Sequence, residues 1–176
     1  ARVTRTFLPS FHCTYTGSSR KAYPNNKVIW QGVYGQYRAG YNDFNTGTLW
    51  FDEASAALAG KTVHQATLSL RRSNGGSSAA RNVYLGAVAL RQADWATTYR
   101  PAFTAPSALP AYPAGQLSRE CEGVYDITSL MAAVQQGYGI GVYEPCAAYS
   151  GGYSPHYTMF YGLGSDFVPV LTVTYS

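Results

Sequence analysis

Residues 66–71 alternate without a break: Ala66, Leu68 and Leu70 fall on one side, and Thr67, Ser69 and Arg71 on the other. A period of two is the pattern of a strand with one face on a core and one in water. The run 62–72 leads into the turn cluster SNGGSS at 73–78, where Asn74-Gly75 favours a tight hairpin turn. Residues 82–90 then read as the return strand. They are apolar on both faces, which predicts a place inside a sheet. A chain with such a hairpin is committed locally to antiparallel sheet.

The composition points the same way. Only 12% of the 176 residues are charged, about half the usual quarter. The chain carries 16 Tyr and 18 Gly, which favours strands and turns over helices. A hydrophobic content of 46% excludes an intrinsically disordered chain. The length suits one domain over 1–176, large enough to bury a core without a disulfide or metal. The longest apolar runs, such as 167–171, are too short to span a bilayer, so no membrane insertion is expected. The net charge of +4 is scattered and no block of five like charges occurs. Nucleic acid is therefore not an expected partner. Cys13, Cys121 and Cys146 form an odd set, allowing at most one intrachain disulfide; a Cys121–Cys146 pair is left open. The start at Ala1, with no leader pattern, suggests a processed or excised chain.

Along the chain, residues 1–8 read as an opening strand and 9–26 as a loop rich in turn formers. Residues 28–30 form a short strand core, and 48–51 another. Between them lies a polar, aromatic stretch, 31–47, too irregular for a regular element. Residues 53–58 predict one helical turn closed by Gly60. Residues 94–115, with four prolines, read as loop. The stretch 122–127 suggests a strand, and 128–136 the one proper helix, capped by Thr128 or Ser129 and stopped by Gly137. Strands at 138–143, 157–161 and 168–175 complete an all-β, two-sheet antiparallel sandwich of jelly-roll type with one short helix.

Three segments in order carry a family likeness: 48–70 (TLWFDEASAALAGKTVHQATLSL), 124–142 (VYDITSLMAAVQQGYGIGV) and 160–175 (FYGLGSDFVPVLTVTY). A strand ending in Trp-Phe is followed by a Leu-x-Gly-Lys-Thr-Val turn into A-x-L-x-L. Later come Tyr-Asp-Ile-Thr at a helix start, Gly-Ile-Gly-Val in a strand, and a terminal P-x-L-x-V-x-Y strand. This pattern resembles the DNRLRE type of jelly-roll β-sandwich, which occurs in carbohydrate-binding modules and in bacteriophage minor tail proteins. The motifs belong to the scaffold, and no ligand residue is carried over from them. The resemblance implies a non-catalytic recognition module, extracellular or on a virion surface, and commonly one piece of a longer protein.

The candidate binding residues come from the chain itself. Sugars present apolar C–H faces beside hydroxyls, so their sites combine aromatic platforms with planar hydrogen-bonding side chains. Tyr34, Gln36, Tyr37, Arg38, Tyr41, Asn42 and Asp43 offer that chemistry within ten positions, with Gly35 and Gly40 to bend the backbone. The competing account is that these tyrosines close one end of the core. Tyr149, Tyr153 and Tyr157, interleaved with Ser, Gly and His156, make a second set of the adaptable kind found in binding loops; a surface loop without function is the competing account. Trp30, Trp50 and Phe51 sit in strand contexts and read as core.

Other chemistries find little support. Residues 43–47 (DFNTG) resemble a calcium loop faintly but lack the distal Glu, so an Asx turn is favoured. Glu120 and Glu122 would share a strand face about 7 Å apart, pointing the same way instead of flanking a glycosidic bond. No G-x-S-x-G elbow occurs, and His12-Cys13 would face opposite ways in a strand. No catalytic residue, metal or cofactor is expected. The leading expectation is recognition of a polysaccharide or cell-surface glycan by a phage-tail or adhesin-like domain. The alternative is a structural subunit of a virion or filament that forms homo-oligomers through its Tyr-rich surface. A polysaccharide-cleaving enzyme is a third reading without a carboxylate pair.

Overall fold

The computed structural model of the chain describes residues 1–16, 27–33, 36–37, 44–97, 109–110, 116–142, 152–153 and 156–176. Its first half carries β1 (Val3–Phe7), β2 (Phe11–Thr16), β3 (Val28–Val33), β4 (Gln36–Tyr37) and β5 (Phe44–Trp50). Helix α1 (Asp52–Ala57) follows, then β6 (Val63–Gly76), β7 (Arg81–Asn82) and β8 (Tyr84–Arg91). The second half has β9 (Leu109–Pro110), β10 (Gln116–Leu117), β11 (Glu122–Asp126) and α2 (Met131–Gln135). It ends with β12 (Tyr138–Val142), β13 (Gly152–Tyr153), β14 (His156–Tyr161) and β15 (Val170–Tyr175).

All pairings are antiparallel, and the strands make a curled, all-β sandwich of jelly-roll type. One sheet runs β1–β15–β6–β11; the other runs β14–β3–β5–β12–β8–β9, with β2 alongside β5. The two are joined by β6. It pairs with β15 over residues 63–69 and with β14 at Arg72 and Gly76. The alternation anticipated for this strand holds: Ala66, Leu68 and Leu70 are fully buried, while Thr67, Ser69 and Arg71 are half-exposed. Their partners across the core include Leu49, Leu85, Ile140 and Phe160.

The two helices close one end of this core. Ala54 and Leu58 from α1 meet Leu130, Met131 and Val134 at α2, and the Ser55 hydroxyl donates to the Val134 carbonyl at 2.5 Å. Gly60 and Gly137 follow the helices with φ of +69° and +85°, the left-handed turn that lets a helix stop without a Cβ penalty. The expected cap at Thr128 or Ser129 is corrected. Asp126 does this work: its Oδ1 accepts from the Thr128 N–H at 2.9 Å and from the Thr128 hydroxyl at 2.6 Å. These bonds hold the Asp126 carboxyl below its ordinary range.

Three further expectations change. The hairpin at Asn74-Gly75 does not form, because β6 runs through both residues to Gly76 and does not pair with β8. The chain reverses later, around a buried Arg72 whose guanidinium donates to the carbonyls of Ser77, Ala79 and Leu117. β8 lies between β12 and β9, an interior position that agrees with its two apolar faces. The stretch 9–26 is not loop throughout: β2 pairs with β5 from Phe11↔Trp50 to Thr16↔Asn45. Both its faces are covered, with His12 and Thr14 buried on one side, and Cys13 and Tyr15 joining Trp50 in a second small core on the other. Finally, β3 and β5 extend into the stretch 31–47, which leaves less irregular chain there than the sequence suggests.

The path of β3 explains one glycine. Asn45 pairs with Thr16 on one edge and Gly32 on the other, whereas Gly47 has Thr14 and Val142 as neighbours. β12 thus takes over the edge that β3 occupies, and β3 passes above the face of β5. At the crossing, a Cβ on Gly47 would lie 2.2 Å from Ile29 Cγ2 and 3.0 Å from the Trp30 carbonyl oxygen.

Candidate functional site

The alternation of β3 and β14 sorts their side chains. Ile29, Gln31, Thr158 and Phe160 are buried toward the core, and Val28, Trp30, Tyr157, Met159 and Tyr161 are half-buried on the outer face. Trp30, expected in the core, is therefore an outer-face residue; Trp50 and Phe51 are core as anticipated. The Trp30 and Tyr157 rings stack with centroids 5.1 Å apart and planes 11° off parallel. Four residues on, Tyr161 packs against Phe167 at 5.2 Å. At a strand rise of about 3.3 Å per residue, the strip from Tyr157 to Tyr161 is about 13 Å long.

This ladder also connects the two Tyr-rich segments. His156 pairs with Val33 at the end of β3–β14, and Tyr153 with Gln36 and Gly152 with Tyr37 in β4–β13. The partner numbers add to 189 in both ladders, so the two share one register. Of the segments read separately in the sequence, 34–43 and 149–157, the described residues Gln36-Tyr37 and Gly152-Tyr153 are thus antiparallel neighbours. The backbones of Gln36, Tyr37 and Tyr153 are placed by this pairing, and Tyr157 is placed with its side chain. Tyr34, Arg38, Tyr41, Asn42, Asp43 and Tyr149 lie outside the described residues, as does Cys146; Cys121 is exposed with a free thiol.

Beyond Tyr161 the chain loops out before rejoining β6. Phe160 pairs with Arg72, and Val170 with Ser69, so nine residues separate partners that are only three apart on β6. The excursion folds back on the outer face, where the Arg71 guanidinium lies 4.2 Å from the centroid of the Phe167 ring. Its start is held by two bonds: Gly162 N–H donates to the Lys27 carbonyl at 2.7 Å, and Leu163 N–H to His12 Nε2 at 2.9 Å.

A cavity of about 210 Å³ opens beside this excursion, lined by Ser69, Arg71, Glu122, Asp166, Phe167, Val168 and Val170. Glu120 stands next to it. The expected strand placement of Glu120 beside Glu122 is corrected: Glu120 has φ of +59° in the turn before β11. From there its carboxylate accepts the Tyr161 hydroxyl at 3.0 and 3.3 Å and comes within 4.0 Å of Arg71. That carboxylate raises the Tyr161 phenol pKa. Arg71 and Glu122 are cross-strand partners in register, yet Arg71 turns to Phe167 and Glu120 instead.

No local pattern in the chain groups these residues. Ser69 and Arg71 are legible as the polar face of a strand, and Phe167 only as the start of the apolar run 167–171; the signal that links them is the excursion itself.

Other chemistry is not assembled among the described residues. No group of three or more His, Cys, Asp or Glu is placed to hold a metal, and Asn45 of the faint calcium pattern spends its amide on the Gly32 carbonyl at 3.1 Å. His12 and Cys13 are both buried; burial lowers the His12 pKa to about 4 and pushes the Cys13 thiol up to about 12. Among the described residues, no helix is long and apolar enough to cross a membrane. No family model matches the chain, and no curated protein matches it.

Proposed function

We propose that the chain is a non-catalytic recognition domain for a polysaccharide or cell-surface glycan, exposed outside the cell or on a virion as part of a phage tail or secreted adhesin-like protein. The observation that supports this reading is the shared register of β3–β14 and β4–β13, in which the backbones of Gln36-Tyr37 and Gly152-Tyr153 continue the ladder that carries the half-exposed Trp30–Tyr157 stack. Aromatic rings standing on a rigid sheet offer flat faces for sugar C–H groups at little entropic cost. Hydrogen bonds would come from Gln36, Arg38, Asn42 and Asp43, neighbours in sequence of Tyr37 and Tyr41.

The test is a Tyr37→Ala/Tyr41→Ala double variant, with Tyr157→Ala as a second. Both are expected to lose binding to a bacterial polysaccharide panel by at least tenfold while the melting temperature changes little. Unchanged affinity in folded variants overturns the reading.

A structural subunit is the second reading, and it has its own observation. Among the described residues, strand β1 pairs on one side only, with β15, and exposes Val3 at 50%; Leu8, just after it, is exposed at 55%. An open edge with apolar side chains is a template for another chain. Light scattering over a hundredfold concentration range separates the two: growth into large assemblies, indifferent to glycan, favours the subunit.

A further inference from the structure

We infer that the cavity beside Phe167 takes one uncharged pyranose unit of the glycan, held by Phe167, Arg71, Glu122 and Asp166. This rests on the glycan-binding reading but places a contact on the strand pair β6–β11, with none of the Tyr-rich segments in its lining. Three features of the cavity support it.

The first is its size. About 210 Å³ lies below the range of roughly 300–1,000 Å³ that encloses drug-sized ligands, so the space suits a single small ring. The second is an aromatic platform with a planar donor. Phe167 is 41% exposed, and the guanidinium of Arg71 lies against its ring. The Arg71 side chain is 31% exposed, and as part of the cavity lining its guanidinium offers planar N–H donors to a ligand oxygen.

The third is the charge pattern. Among the described residues, the carboxylates of Glu122 and Asp166 take no hydrogen bond or ion pair, although Glu122 stands directly across from Arg71 in the ladder. Arg71 already lies within 4.0 Å of Glu120, so two further carboxylates leave the lining net acidic and repel an acidic sugar. They accept from the hydroxyls of a neutral one, and charge-assisted bonds of this kind are the stronger sort. A neutral ring with adjacent hydroxyls can meet both carboxylates, the guanidinium and the exposed part of the aromatic ring together.

The experiment titrates the intact chain with cellohexaose, laminarihexaose, maltohexaose, mannohexaose and, as an acidic control, hexagalacturonate, followed by calorimetry and by amide chemical shifts. The expected result is binding of at least one neutral hexaose, with shifts at Ser69, Glu122 and Asp166. The isosteric pair Glu122→Gln/Asp166→Asn and, separately, Phe167→Ala then weaken it at least tenfold. If a neutral hexaose binds with undiminished affinity to both folded variants, the cavity inference falls while glycan recognition stands. Preference for hexagalacturonate overturns the neutral class. Binding of no hexaose at millimolar concentration overturns the inference together with the recognition reading.

Discussion

The backbone N–H of Leu163 donates to Nε2 of His12 at 2.9 Å, tying the loop after β14 to a strand near the start of the chain. Accepting that bond requires a neutral ring with its proton on Nδ1. His12 is fully buried, and burial lowers its pKa from 6.5 to about 4. The unfolded chain therefore binds a proton at this residue below about pH 6.5, while the folded chain stays neutral to about pH 4. Stability is insensitive to His12 above that window and falls as the pH drops through it, by up to about 3 kcal/mol in total. Urea unfolding at pH 7.5, 5.5 and 4.5 should show this decline in the wild type and a flatter profile in His12→Gln. Parallel profiles would mean that the buried imidazole is not the titrating group.

At the crossing of β3 over β5, Gly47→Ala would push a methyl into Ile29. Overpacking of this kind costs about 1–3 kcal/mol, and the backbone carbonyl of Trp30 on the second side limits relief. Thermal unfolding should register a clear drop in melting temperature. A melting temperature equal to the wild type would show that β3 can lift away from β5.

Asp126→Ala should remove the paired bonds to Thr128 that start the turn before α2. Loss of such a cap costs about 0.5–2 kcal/mol. Because the folded carboxyl titrates below its unfolded value, this stabilisation is full above the unfolded carboxylate pKa and is lost as the pH falls through the folded one. The difference between wild type and variant should therefore shrink in acid; chemical denaturation at pH 7 and pH 3 would show whether it does.

Arg72→Met should be among the most damaging single changes. The guanidinium is buried and donates to three backbone carbonyls in the segment after β6 and in β10. Removing the donor leaves those carbonyls without their partner, at about 1–3 kcal/mol for each one that stays buried. Arg72→Lys should also fail, since an ammonium cannot reproduce the planar fork. A soluble, cooperatively melting methionine variant would show that the carbonyls find other donors.

What the sequence made legible was local and periodic. The outward and inward residues of β6, both helices and the stop at Gly60 and Gly137 follow from spacing and from backbone chemistry confined to a few residues. β2 was unreadable for a physical reason: with His12, Cys13, Thr14 and Tyr15 all buried, it has no polar face to alternate. Asn74-Gly75 carries a strong hairpin preference, but Arg72 reaches forward to bind carbonyls beyond it, and that tertiary anchor moves the reversal downstream. The candidate site was legible as two separate aromatic segments. Their adjacency depends on a register between residues more than a hundred positions apart, which no local pattern encodes.

The position of β15 has a consequence for how the chain is made. It lies between β1 and β6, pairing Val3 with Tyr175 on one side and Ser69 with Val170 on the other. As the chain leaves the ribosome, β1 and this part of β6 have no shared partner until β15 emerges between them. Pairing over such sequence distances is slow, so two strand edges stay unsatisfied until β15 is made. Chains stalled ahead of residue 170 should stay open to proteolysis, and emergence of β15 should close the sheet in a single step.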